Sequence, residues 1–129
     1  MRYLGIDYGA KRIGIAVSDD NGRMAFPIGV IMNRGMIALK EIIGTVKKEH
    51  IGIVVVGVPV GLNGKETQQT KKIRLFVTVL TKKIQVPVEI ENEMFTSRMA
   101  VDSGMKDSHI DASSAALILQ SYLDKKSKL

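Results

Sequence analysis

The chain has 129 residues, no cysteine, and a formal net charge of +6 from 19 Lys and Arg against 13 Asp and Glu. A single domain is expected at this length, and the missing thiols exclude a disulfide framework, a thiolate zinc site and a cysteine nucleophile. With only two histidines, a bound metal is expected to be held by carboxylates, which suits Mg²⁺ or Mn²⁺. The basic balance allows a polyanionic partner, and the few aromatic residues favour recognition of its backbone and shape over stacking.

Three short strands are predicted at the start of the chain. Apolar runs at residues 3–7 and 13–18 flank a five-residue turn that contains Gly9. A second turn signal, Asp-Asp-Asn-Gly at residues 19–22, precedes a third run at 24–30. This segment is therefore expected to form an antiparallel meander.

Helical spacing then alternates with strand-like runs. The pattern predicts helices within residues 35–50, around residues 73–84 and over 110–123, and strands at 51–58 and 87–91. The strand at 51–58 is apolar at every position but its glycines, which is typical of a central strand covered on both faces. The order β-β-β-α-β-α-β-α predicts a single-domain α/β fold, a mixed sheet with helices on its faces.

Ligand sites in such sheets form beyond the carboxyl ends of the strands. Functional residues are therefore expected just after Ile6, Val58 and Ile90. The sequence places Asp7, the glycine-rich loop at 59–64 and Glu93 at these points. That loop matches neither a P-loop nor a dinucleotide fingerprint.

Each candidate acid also has a purely structural interpretation. Asp7 could cap the turn that follows it, and Glu93 could be an exposed loop acid on the same side of the chain as Glu91. Asp111 follows Ser108 by three residues, as in a capping box at a helix start. From the residues alone the two interpretations are balanced for Asp7, whereas the structural one is favoured for Glu93 and for Asp111.

Three carboxylates brought to one place repel each other and stay ionised only when cations lie among them. This arrangement is what two-metal phosphoryl transfer requires, because metal ions activate the attacking water and stabilise the leaving oxygen. Lys11 and Arg12 follow Asp7 closely and could contact a substrate phosphate.

The sequence resembles the bacterial YqgF (RuvX) family over almost its whole length. The resemblance rests on LGIDYG at residues 4–9 with KRIGIAVSD at 11–19, on VGVP at 56–59 with Asn-Gly at 63–64, and on IDA at 110–112 with AALILQSYL at 115–123. It implies an RNase H-like fold, with an antiparallel start followed by parallel strands, and carries the family's acidic set onto Asp7, Glu93 and Asp111. We then expect Asp7 to bridge two Mg²⁺ or Mn²⁺ ions, with Glu93 and Asp111 as outer ligands.

The middle motif departs from the family pattern, which usually reads Asp-Glu-Arg. Here it is Asn92-Glu93-Met94. The glutamate is kept, so the metal ligand is kept. The arginine, which would pair with a phosphate or an acid, is replaced by methionine.

The resemblance implies a nuclease that matures the 5′ end of pre-16S ribosomal RNA. Three alternatives are a Holliday junction endonuclease, which would need a dimer, a non-catalytic RNA-binding assembly factor, and an actin-like ATP-binding protein. The last would need two lobes, more than 129 residues supply. We expect a cytoplasmic monomer or homodimer without membrane contact, since the longest apolar run is about half a membrane span.

Overall fold

The computed structural model describes residues 1–59, 67–92 and 107–127, and it describes residues 107–111 by their helical backbone only. The predicted order of elements is confirmed: β1 Arg2–Tyr8, β2 Arg12–Ser18, β3 Ala25–Met32, α1 Met36–Lys48, β4 Ile51–Val58, α2 Gln68–Lys83, β5 Val88–Asn92 and α3 Asp107–Ser127. Most of the predicted loop at 59–64 lies outside the described residues.

The five strands form one mixed sheet in the order β3-β2-β1-β4-β5. β1 pairs antiparallel with β2, and β2 with β3, whereas β4 lies parallel to both β1 and β5. The predicted mixed sheet is therefore confirmed. Since β1, β4 and β5 run in the same direction, their carboxyl ends meet at one edge, which we call the carboxyl edge.

Helices cover both faces of this sheet. On one face α1 and α2 pack on β1, β2 and β4 through residues that include Ile6, Ile42 and Ile73. On the other face α3 packs through Ala115, Ile118, Leu119 and Leu123. Val54 and Val56 face the first core and Val55 the second, which is why β4 is apolar throughout.

The start of α2 is fixed to the carboxyl edge. The Thr67 hydroxyl accepts a hydrogen bond from the backbone N–H of Thr70, a normal N-cap. The buried Thr70 hydroxyl donates to the carbonyl of Pro59, the residue after β4. The first turn of α2 is thereby held beside the end of β4.

Two expectations about α3 were wrong. The helix begins at Asp107, so Ser108 lies inside the first turn and not at the cap position of a capping box. The apolar residues Leu117, Ile118 and Tyr122 predict a wide packed face for this helix, but Leu117 is 36% exposed because its position faces away from the sheet. Among the helices of the described ranges, none is long and apolar enough to cross a bilayer.

Candidate active site at the carboxyl edge

Asp7 is the penultimate residue of β1 and is half-buried. It pairs across the sheet with Gly14 of β2. Side chains alternate along a strand, so Asp7 lies on the face that Tyr3 and Gly5 present to α3. The carboxylate is therefore on the α3 side of the sheet, at the carboxyl edge.

Gly5 allows α3 to approach β1 very closely. A Cβ atom at residue 5 would lie 2.7 Å from the Leu119 Cβ and 2.9 Å from the Ala115 carbonyl oxygen. Any other residue would push the helix away from the strand. The glycine thus determines how near α3 comes to the strand that carries Asp7.

The same contacts set the register between α3 and β1. Tyr3 lies beside Tyr122, with 5.9 Å between ring centroids, and Gly5 lies beside Ala115 and Leu119. Moving from Gly5 to Asp7 advances about 6.6 Å along the strand, and moving back one turn from Ala115 to Asp111 covers about 6 Å. The backbone of residue 111 is therefore level with Asp7, whereas its side chain is outside the described part of the structure.

Glu93 also lies outside the described residues, and the penultimate residue of the strand before it is a buried acid, Glu91. Glu91 is 4% exposed. Its Oε2 accepts hydrogen bonds from the Ser121 hydroxyl at 2.7 Å and from the Lys125 ammonium at 2.6 Å. Glu91 is therefore paired and covered by α3, and that one of Glu91 and Glu93 is only solvated stays a prediction, now for Glu93.

Glu91 thus links β5 to α3 at a position that the sequence did not reveal. We expect Glu91→Gln to lower the free energy of unfolding by about 1–2 kcal/mol, because an amide replaces a buried charge-assisted acceptor. Urea denaturation measures this. Asp20→Asn is the control, because the Asp20 side chain is 93% exposed and its Oδ1 lies 3.7 Å from the Arg2 Nε. This substitution should change the free energy of unfolding by less than about 0.5 kcal/mol. Equal effects of the two substitutions would contradict a stabilising role for Glu91.

The turn between β1 and β2 carries the predicted phosphate contacts. Lys11 is exposed in the turn, and Arg12 is the first residue of β2. The Asn33 side-chain amide donates to the Gly9 carbonyl at 2.8 Å, and its backbone N–H donates to the Lys11 carbonyl at 2.9 Å. Asn33, which the sequence analysis missed, therefore fixes the turn from the far end of β3.

No three metal-ligating side chains cluster among residues whose side chains the structure describes. Of the three predicted metal ligands, Asp7, Glu93 and Asp111, only Asp7 has a side chain that the structure describes. The structure thus places Asp7 and the backbone of Asp111 at one edge, and the complete ligand set stays a prediction.

Comparison with known proteins identifies the family. The model described as "RuvX: Holliday junction resolvase" matches residues 1–125. The chain belongs to the RuvX family. It is therefore a nuclease, a hydrolase of phosphodiester bonds, as its motifs predicted.

Full-length relatives agree with this RuvX membership. A protein of Anaeromyxobacter sp. (strain Fw109-5) is 36% identical over 96% of this chain and 97% of its own. One from Anaplasma marginale is 39% identical over 95% of this chain and 84% of its own. Both are provisionally named pre-16S rRNA nucleases.

Solved structures share the RuvX fold. Thermus thermophilus RuvC matches with a TM-score of 0.59 and 15% identity over 99% of this chain and 97% of that one. A Fowlpox virus resolvase, solved with Holliday junction DNA, matches with a TM-score of 0.52 and 12% identity over 95% of this chain and 99% of that one. These similarities confirm the RNase H-like architecture.

Proposed function

We propose that this RuvX chain matures the 5′ end of pre-16S ribosomal RNA by cutting a phosphodiester bond at the carboxyl edge. The observation that carries the site assignment is the close approach of α3 to β1 at Gly5, which brings the backbone of Asp111 level with Asp7. The names of the full-length relatives support the RNA substrate. Cleavage would take place in the cytoplasm.

Asp7, Glu93 and Asp111 would hold two Mg²⁺ or Mn²⁺ ions. Their donor set fits, because these hard cations prefer carboxylate oxygens and the chain has no thiol to compete for the site. When bound, such ions activate water and stabilise the leaving oxygen. A strand and a helix packed without a gap would hold Asp7 and Asp111 in place, which limits the reorganisation needed during the reaction.

Lys11 and Arg12 would orient the substrate phosphate. Asn33 holds the turn that carries them, so their backbone stays in place beside Asp7. Contacts of this kind position a nucleic-acid backbone without reading its sequence, and they make binding weaken as salt concentration rises.

A second candidate substrate is a four-way DNA junction. It is favoured by the description of the family and by the fold shared with resolvases. Such a reaction would need two active sites on opposed strands, hence a homodimer, whereas RNA maturation could be performed by a monomer.

The two substrates are compared directly at equal concentration in one Mg²⁺ buffer. We expect faster cleavage of an RNA carrying the 16S 5′ leader than of a four-way DNA junction, and no cleavage of either with excess EDTA. Preferred cutting of the junction would replace the RNA assignment with the resolvase assignment. RNA binding without cleavage, in Mg²⁺ or Mn²⁺, would instead indicate a non-catalytic assembly factor.

A further inference from the structure

Two adjoining cavities open beside the carboxyl edge, on the face opposite α3. The first, which we call the edge cavity, has a volume of about 450 Å³ and is lined by Tyr8, Ala10, Asn33, Gln69 and Lys72. The second, which we call the interhelical cavity, has a volume of about 340 Å³, extends between α1 and α2 and shares Tyr8, Asn33 and Lys72 with the edge cavity. Among the described residues, those that line the two cavities include donors and a cation but no carboxylate. The two cavities therefore place the positive charge of Lys72 next to apolar walls.

The lysines near the start of α2 are not explained by helix stability. The first turn contains no acidic residue, and Lys71 and Lys72 follow directly. Cations near a helix N-terminus oppose the helix dipole. Thr70 holds this turn to the carbonyl of Pro59. Lys72 is the fifth residue of α2, and its charge lies beside the carboxyl edge because the residue lines both cavities.

The interhelical cavity has aromatic and aliphatic walls. The rings of Tyr8 and Phe76 stack with 4.3 Å between centroids at an interplanar angle of 29°. Leu39, Leu75 and Val79 contribute further apolar lining. Aromatic and aliphatic walls of this kind suit a nucleobase, which stacks on rings regardless of its sequence.

We propose that these two cavities bind one unpaired nucleotide of the substrate strand, with its base in the interhelical cavity and its phosphate near Lys72 and Gln69. Tyr8 directly follows Asp7 and lies on the other face of β1, so a strand bound here passes over the edge from one face to the other. The substrate would then be single-stranded next to the cleaved bond. This inference rests on the proposed nuclease function for its ligand class, but it requires no catalysis.

Binding is measured by fluorescence anisotropy in EDTA, so that a failure of the metal site cannot affect the result. The probes are a labelled RNA pentanucleotide and a strand of the same length that is abasic at all five positions. We expect the complete strand to bind about fivefold more tightly or better, because each stacked base contributes to affinity on this scale. Equal affinity for the two probes would overturn the proposal.

Two variants separate the roles of charge and stacking. Lys72→Gln should weaken binding of both probes and reduce the slope of log affinity against log salt by about 0.7, whereas Lys82→Gln, in the last turn of the same helix, should change neither. Phe76→Leu, checked by its thermal melt, should remove the preference for the complete strand. Equal losses from the two lysine variants would overturn the placement of the phosphate.

A free nucleotide shares the chemistry of the proposed ligand, so adenosine monophosphate is tested as a competitor. We expect it to displace the pentanucleotide only at far higher concentration, because it lacks the neighbouring backbone contacts. Tighter binding of the monophosphate than of the strand would overturn the assignment to substrate.

Discussion

Asp7→Asn should lower the rate of RNA cleavage by about 100-fold or more while leaving the fold intact. The amide has nearly the shape of the carboxylate but not its charge, and a hard cation loses a ligand that it prefers. The loss of several kcal/mol of metal-dependent transition-state stabilisation corresponds to a rate effect of this size. Single-turnover cleavage in saturating Mg²⁺ measures it, because product release then does not limit the rate.

Two controls accompany Asp7→Asn. Asp20→Asn removes a charge from an exposed position and should leave cleavage unchanged. RNA binding by Asp7→Asn in EDTA should be at least as tight as that of the wild type, because without metal the substitution removes a carboxylate that repels phosphate. Undiminished cleavage by Asp7→Asn would refute the assignment of the active site.

The second large effect is expected at Gly5. Gly5→Ala would place a Cβ atom 2.7 Å from the Leu119 Cβ and 2.9 Å from the Ala115 carbonyl oxygen, so the helix backbone must move. Overpacking of this kind lowers the free energy of unfolding by about 1–3 kcal/mol. Because α3 also carries Asp111, we expect kcat to fall by about tenfold or more in the fraction that remains folded.

Gly44→Ala is the matched control for Gly5→Ala. Gly44 lies within α1, and a Cβ atom there meets no atom within 4 Å. Alanine at an open helical position should raise the free energy of unfolding by about 0.5–1 kcal/mol without changing cleavage. If Gly5→Ala were as stable and as active as Gly44→Ala, α3 would not be seated on β1 as described.

Most of the fold could be predicted because apolar residues recur along each strand and helix at the regular spacing of that element. The apolar run of β4 indicated a strand buried on both faces, and the structure places α2 on one side of it and α3 on the other. Parallel pairing of β1 with β4 then brings Asp7 to the carboxyl edge. These features depend on local pattern and on general rules of sheet topology.

Contacts between distant segments could not be predicted. The burial of Glu91 depends on Ser121 and Lys125, about 30 residues further along the chain. Asn33 reads as an ordinary turn residue until its bond to Gly9 is seen. Gly5 is unremarkable in a strand pattern, and its role emerges only from the distance to α3.

The site itself was predicted from strand ends and from the family resemblance together. Strand order suggested Asp7 and Glu93, whereas Asp111 looked like a helix cap until the resemblance favoured a ligand. The start of α3 at Asp107 removes the capping-box interpretation, because Ser108 is already inside the helix. The register of α3 against β1 then gives a physical reason to pair Asp111 with Asp7.

The central claim, that carboxylates from β1 and α3 hold divalent cations together, is tested most directly by adding substoichiometric Mn²⁺ to ¹⁵N-labelled protein. Paramagnetic broadening should be strongest for the backbone amides of residues 6–9 and 110–113, weak in α1, and lost in Asp7→Asn. Broadening centred on Glu89 and Glu91, or unchanged in Asp7→Asn, would contradict the claim.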